Sequence, residues 1–196
     1  AIYDADSPAL APEVAALREV RALSFGRGAG ADVQLLGCAL APEVATLRSR
    51  CAFRVGEPTN VLRAEMRLLG PGSAVDAAAA LAIVFAIKGP DALAAALPSL
   101  ASVEAVAGRL CPRPGPNDAL VVDDSYNANP ASMAASIEAA AEIARVREAR
   151  LVLVLGDMLE LGAEAQAAHE EAGRLAVRAG ARALFTCGMQ MRGASQ

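Results

Sequence analysis

The sequence predicts an α/β chain in two parts: a β-hairpin with Ala-rich helices, followed by a Rossmann-like parallel βαβαβ unit. Three observations carry this. Residues 46–69 alternate apolar and charged side chains about a turn rich in Gly, Pro and Asn. Beyond Ala119, short, wholly apolar runs alternate with helix-length segments. Between the two rhythms lie three closely spaced prolines, Pro112, Pro114 and Pro116, which suit a stiff connector. We therefore expect a first domain over 1–107 and a second over 108–196.

In order along the chain, Pro8 to Arg18 reads as a short helix and Arg21 to Phe25 as a strand. Gly26-Arg27-Gly28-Ala29-Gly30 follows, then a second strand from Ala31 to about Ala39. A phosphate-binding G-x-G-x-x-G opens a helix; this glycine run lies between strands and reads as a turn. From Thr46 to Val55, Leu47, Ser49, Cys51, Phe53 and Val55 share one face, opposed by Arg48, Arg50 and Arg54. From Val61 to Leu69, Leu62, Ala64, Met66 and Leu68 oppose Arg63, Glu65 and Arg67. Two half-buried strands joined at 56–60 make a hairpin, with the arginines as a solvated face. Gly70-Pro71-Gly72-Ser73 reads as a break before a helix from Val75 to Lys88, and a second helix runs from Pro90 to Leu97, ending near Pro98. In the second part, Ala119 to Val122, Leu151 to Leu155 and Ala183 to Cys187 are the apolar runs, and Ala131 to Arg147 and Ala163 to Ala179 the helices. Strands apolar throughout imply a parallel sheet covered on both faces.

Composition narrows the function classes. A net charge of −4 without a basic cluster argues against a nucleic-acid partner. The longest unbroken apolar run, Ala77 to Ile87, has 11 residues, about half a membrane span, so no membrane insertion is expected. Cys38, Cys51, Cys111 and Cys187 are far apart and the chain has one His, which supports neither a zinc site nor a disulfide framework. Four reduced thiols in a cytoplasmic protein is the reading.

In open parallel sheets ligands bind beyond the carboxyl ends of the strands, so the loops after the apolar runs are the ones to inspect. The first reads Asp123-Asp124-Ser125-Tyr126-Asn127-Ala128-Asn129-Pro130. Asn129 with Pro130 is a helix start in its own right, Asn capping free amides and Pro fitting the first helical position. Two carboxylates, a hydroxyl, a phenol and an amide remain, suited to ribose hydroxyls, a cation or an amine. The second loop places Asp157 directly after a strand, where it either faces an ammonium group or orders the neighbouring loop. His169, in the following helix, reads as a surface or capping residue. No Ser–His–Asp or Cys–His constellation is present, and no catalytic or metal-binding residue is assigned.

The strings D-D-S-Y-N-A-N-P-A-S-M at Asp123 to Met133 and L-G-D-M-L-E-L-G at Leu155 to Gly162, with His169, Gly173 and Gly108-Arg109, resemble the C-terminal domain of the Mur ligase family. The branch they are most similar to attaches D-alanyl-D-alanine to a UDP-N-acetylmuramoyl tripeptide in cell-wall synthesis. Ala5-Asp6-Ser7-Pro8, Ser24-Phe25-Gly26 and Ala31-Asp32-Val33 resemble, more weakly, the later part of the family's central ATPase domain. The resemblance implies an ATP- and Mg2+-dependent ligase that phosphorylates a substrate carboxylate and lets an amine attack the acyl phosphate. It implies that Arg109 reaches the nucleotide with a forked, permanently charged guanidinium, that Asp124 lies near the ATP ribose with Ser125, Tyr126 and Asn127 in the adjoining loop, and that Asp157 faces the incoming dipeptide.

The chain also departs from the family. Where the pattern G-x-H-N-x-x-N is expected from Gly70, Gly72 replaces the His, Ser73 the first Asn and Asp76 the second. No G-x-x-x-x-G-K-[ST] loop occurs in the 196 residues. On this resemblance the chain reads as an internal fragment, inactive alone and prone to self-association through open sheet edges. A degenerate, non-catalytic binding or scaffold protein is the alternative. A nicotinamide dehydrogenase also fits the βαβ rhythm but lacks a glycine-rich first βα loop.

Overall fold

The computed structural model describes residues 1–41 and 47–192. The expected strand start at Thr46 and the last four positions of the second domain fall outside them. The chain divides into two compact units, one over Ala1–Glu104 and one from Ala105 onward, so the boundary lies three residues before the one expected from sequence.

The first unit is a five-stranded sheet of order β1-β2-β3-β4-β5. Its strands are β1 (Ile2–Asp4), β2 (Leu23–Gly26), β3 (Val33–Ala41), β4 (Arg48–Val55) and β5 (Val61–Met66). The first three run parallel and the rest antiparallel. A short helix, α1 (Leu10–Ala16), joins β1 to β2. The turn after β2 is fixed by Asp6, whose carboxylate accepts the Arg27 and Gly28 amides at 2.6 and 2.9 Å. Gly26 is required there: its φ is 151°, and a Cβ would lie 2.8 Å from an Asp6 oxygen. A second lock joins Asp32 to Ser24, whose amide and hydroxyl both donate to the same carboxylate oxygen.

The hairpin β4–β5 forms as its alternation predicts. Ser49, Cys51, Phe53 and Val55 are buried, and Arg50 and Arg54 turn outward to Glu65 and to the Ala29 carbonyl. At its end the pattern slips: β5 stops at Met66 and Leu69, not Leu68, is buried. Helix α2 (Gly70–Lys88) lays Ala74, Ala77, Ala78, Leu81 and Ala82 on the sheet. Small side chains let the helix approach closely, with Phe53 and Leu93 completing the core.

Several expectations for this unit are corrected. Gly70 to Ser73 do not interrupt the chain; they are the first turn of α2, because Pro71 sits where a missing N–H costs nothing and Ser73 Oγ donates to the Leu69 carbonyl at 2.9 Å. By length and composition α2 is therefore apolar enough to cross a membrane, although its buried stripe faces the sheet. Helix α3 (Leu93–Ser102) does not end at Pro98 but continues through it. The backbone bond lost is that of Ala94, and both Ala94 and Pro98 are exposed, so water can satisfy that carbonyl. Finally, Cys38 and Cys51 are not free thiols. They are paired across β3 and β4 and joined in a disulfide, with Cα atoms 4.1 Å apart. Sequence separation gives no hint of cross-strand register, which is why spacing alone missed the pair. Cys111 and Cys187 are free.

The second unit follows the order β7-α4-β8-α5-β9, preceded by β6. Its strands are β6 (Cys111–Pro114), β7 (Leu120–Asp123), β8 (Val152–Gly156) and β9 (Ala183–Cys187), and its helices α4 (Pro130–Val146) and α5 (Ala165–Arg178). It is an α/β arrangement with parallel strands, as expected, but its ladders divide differently. β8 and β9 pair in parallel, whereas β7 pairs antiparallel with β6. Pro112 and Pro114 thus lie in a strand rather than a connector, tolerated because β6 is an edge, and Pro116 opens the turn that follows. The core gathers Met133 and Ile137 of α4, Leu153 and Leu155 of β8, Ala172 and Ala176 of α5, and Met158 and Met191 from loops. β8 is covered on one face only: Val152 and Val154 are 52% and 72% exposed, and Phe185 of β9 is 60% exposed. The expectation of a sheet covered on both faces does not hold among the described residues.

Candidate functional site

The loop after β7 is built by its own polar side chains. Asn129 caps α4: its Oδ1 accepts the Ser132 amide at 2.9 Å, and Ser132 Oγ accepts the Asn129 amide at 3.0 Å. This reciprocal cap, with Pro130 in the first turn, pins the loop's far end. Adjacent carboxylates would repel if they shared a space, but Asp123 and Asp124 are held by separate donors. Asp123 Oδ1 accepts the hydroxyl and amide of Ser125 at 2.7 and 3.2 Å, and its Oδ2 lies 3.4 Å from Arg113 Nε. The Ser125 hydroxyl, then its amide, and more weakly the Arg113 charge, hold the Asp123 carboxyl below the usual range.

Asp124 ties two elements together. Its Oδ1 accepts the Leu110 amide at 2.9 Å, and its Oδ2 accepts the Ser136 hydroxyl from α4. One residue before Leu110, the Arg109 guanidinium stacks on the Tyr126 ring, 4.3 Å from its centroid. Gly108 permits this. The Tyr126 amide donates to the Gly108 carbonyl at 3.0 Å, and at φ 77° a Cβ on Gly108 would lie 3.0 Å from that same nitrogen. Arg109, Asp124 and Tyr126 are therefore brought into one cluster, with Ser125 and Asn127 on the same loop. Asn127 spends its Oδ1 on the next amide, that of Ala128, at 2.9 Å.

Asp157 sits in a different setting. Its carboxylate accepts three successive amides of the loop after β9: Met189 at 3.0 Å, Gln190 at 3.1 Å and Met191 at 2.8 Å. The Met191 bond is the main cause of a carboxyl held below its ordinary value. Of the two sequence alternatives, this geometry is that of a residue ordering its neighbouring loop. His169 is not a surface residue: it is fully buried, with Nε2 2.9 Å from the Met158 amide and Nδ1 2.6 Å from the Ala165 carbonyl. Asp123, Asp124, Ser125, Asn127 and Asp157 all border one cleft of about 1750 Å³, whose walls are β7, α4 and β8.

In the first unit, Gly72 and Asp76 lie exposed on the opening turns of α2, and Ser73 is turned back onto the Leu69 carbonyl. A Cβ at Gly72 would meet nothing within 4 Å, so a larger side chain is not excluded there by space. Two residues that hold this loop escaped the sequence reading, Ser136 and Arg113. The one available signal was that Ser132 and Ser136 are four residues apart, which places two hydroxyls on one helical face.

Residues 108–196 match the family model described as Mur ligase, glutamate ligase domain. The chain is 38% identical over 139 residues to the UDP-N-acetylmuramoyl-tripeptide--D-alanyl-D-alanine ligase of Escherichia coli (strain K12), covering 70% of this chain and 29% of the relative. It is 46% identical over 100 residues to the ligase of the same name from Mycobacterium tuberculosis (strain ATCC 25618 / H37Rv), covering 44% and 20%. Among solved structures it is similar to the MurF ligase of Thermotoga maritima in complex with ADP, with a TM-score of 0.79, 25% identity, and coverage of 99% of this chain and 42% of that one. The chain thus spans less than half the length of each of these relatives.

Proposed function

We propose, from the match of residues 108–196 to the Mur ligase family model, that the chain belongs to an ATP-dependent ligase that joins D-alanyl-D-alanine to a UDP-N-acetylmuramoyl tripeptide. In this reading the tripeptide carboxylate attacks the terminal phosphorus of ATP, giving an acyl phosphate and ADP. The dipeptide amine then attacks the acyl carbon, phosphate leaves with the electron pair of the broken C–O bond, and the amine loses a proton to solvent. The observation that supports it most is the Arg109–Tyr126 stack beside the Asp124-anchored loop. It offers a fixed cation for phosphate oxygens and an aromatic edge, both at a strand's carboxyl end. Asp124, with both oxygens engaged, acts first as the anchor that sets Arg109, and its remaining lone pairs are left for the ribose. Ser125 and Asn127 complete the nucleotide-side loop.

Mg2+ would supply charge neutralisation on the phosphates. Among the described residues no three His, Cys, Asp or Glu side chains converge, so we assign none of them to the ion and route no step through it. The reaction draws on ATP and a UDP-linked precursor, which places it in the cytoplasm. Self-association through exposed sheet edges belongs to the same proposal: β8 and β9 form a ladder of two strands whose outer edges carry no strand partner among the described residues. A monodisperse monomer in sedimentation at high concentration would refute that part.

The test joins these 196 residues to a segment carrying a G-x-x-x-x-G-K-[ST] loop from a Mur ligase relative. ATP hydrolysis that depends on D-alanyl-D-alanine, and that falls at least about tenfold with Arg109→Ala, supports the reading. Hydrolysis indifferent to the dipeptide overturns it. A non-catalytic scaffold is favoured by Gly72, Ser73 and Asp76 alone; calorimetry with ATP and Mg2+ on the same protein decides, since absence of binding heat selects the scaffold.

A further inference from the structure

The loops that follow β8 and β9 are joined through one imidazole and one carboxylate. His169 is wholly buried in α5, where an imidazole is costly unless both ring nitrogens find partners. A carbonyl can only accept, so Nδ1, 2.6 Å from the Ala165 oxygen, carries the proton. Nε2 is then a lone-pair acceptor for the Met158 N–H at 2.9 Å. Met158 is the immediate neighbour of Asp157, whose oxygens gather the amides of Met189, Gln190 and Met191. Met158 and Met191 are both fully buried in one core cluster, so the loops are seated from below and drawn together from above. Gly188 permits this close approach, since a Cβ there would lie 2.2 Å from Asp157 Cγ.

We propose that His169 is the positioning residue of this loop pair: Nε2 sets the Met158 amide, and through Asp157 it sets the backbone of residues 189–191. The inference deepens the reading above and rests on it in taking these loops as the ones the incoming dipeptide meets. Leucine or methionine would fill the same volume without a desolvation cost, so the imidazole's contribution is its directed lone pair.

The experiment is amide hydrogen exchange followed by NMR on the 196-residue chain. His169→Gln places an acceptor near the Nε2 position and gives up the Nδ1 donor. His169→Asn keeps a donor near Nδ1 and gives up the acceptor. Expected is faster exchange at Met158 and at Met189, Gln190 and Met191 in His169→Asn, by at least about fivefold, and near wild-type protection in His169→Gln. Equal loss in both variants, or loss confined to Met158, overturns the proposal. Asp157→Ala serves if His169→Asn does not fold: it should release 189–191 while Met158 stays protected, and release of Met158 as well refutes the stated direction. Titrating D-alanyl-D-alanine against the wild-type chain separates the two readings. Shifts at 189–191 that vanish in His169→Asn and return in His169→Gln support both. No shift in the wild type removes the dipeptide assignment, while the exchange data still decide the role of His169.

Discussion

Replacing Gly188 by alanine gives a sharp test of how the second unit is held. Gly188 has φ 111°, where an L-residue is strained, and its added Cβ would stand 2.2 to 2.4 Å from the three carboxyl atoms of Asp157. The left-handed backbone alone costs an alanine about 1–2 kcal/mol. The carboxylate cannot swing aside without breaking its bonds to 189–191, so the clash is relieved by backbone movement, which adds about 1–3 kcal/mol. Gly180→Ala is the control: Gly180 also has positive φ, 76°, but nothing lies within 4 Å of a Cβ there. Gly180→Ala should therefore cost about 1–2 kcal/mol, and Gly188→Ala about 2–5 kcal/mol. For a domain of this size each kcal/mol lowers the thermal midpoint by about 4–8 °C. Differential scanning calorimetry, fitting the second unit's transition separately, reads both values. A Gly188→Ala midpoint within about 2 °C of Gly180→Ala would refute the Asp157 cage.

Three further outcomes are expected. The Asp157 carboxyl titrates below its ordinary 3.8, so its stabilisation is present above that value and is lost as pH falls through the lower, folded-state value; Asp157→Asn should flatten the acid limb of a urea-melting profile below about pH 4. Phe53→Ala, at the centre of the first core and fully buried, should cost about 3–5 kcal/mol in denaturant unfolding of the first unit. Thiol titration of the unfolded chain should find two reactive groups, Cys111 and Cys187, without reductant and four after it; four in both states would contradict the Cys38–Cys51 bond.

The sequence made some of this legible and concealed the rest for identifiable reasons. The hairpin could be read because its arginines alternate strictly with buried Ser49, Cys51, Phe53 and Val55, a period that only a half-buried strand satisfies. The α4 start could be read because Asn129-Pro130 is a local signal with a local cause. Pro98 misled because helix breaking depends on whether the orphaned carbonyl reaches water, which is a tertiary property. β6 was hidden because an edge strand tolerates prolines that would expel a central one. The polar residues of the loop after β7 were legible as a group of candidates, since a strand end collects them. Their individual tasks were not: that Asp124 holds Leu110 and Ser136 while Asp123 holds Ser125 depends on which donors the fold delivers. The Asp157 cage and the buried His169 share that limit, because their partners lie up to 34 residues away.

The stacked Arg109 has a thermodynamic consequence for any anion that meets it. A free arginine carries about 2 kcal/mol of rotamer entropy, which is ordinarily surrendered when a ligand immobilises it. Here the Tyr126 ring restricts the side chain in advance, with Gly108 and Asp124 fixing the backbone on either side. The disorder is given up during folding, so capture of a phosphate group would carry a smaller entropy penalty than at a mobile arginine of equal charge.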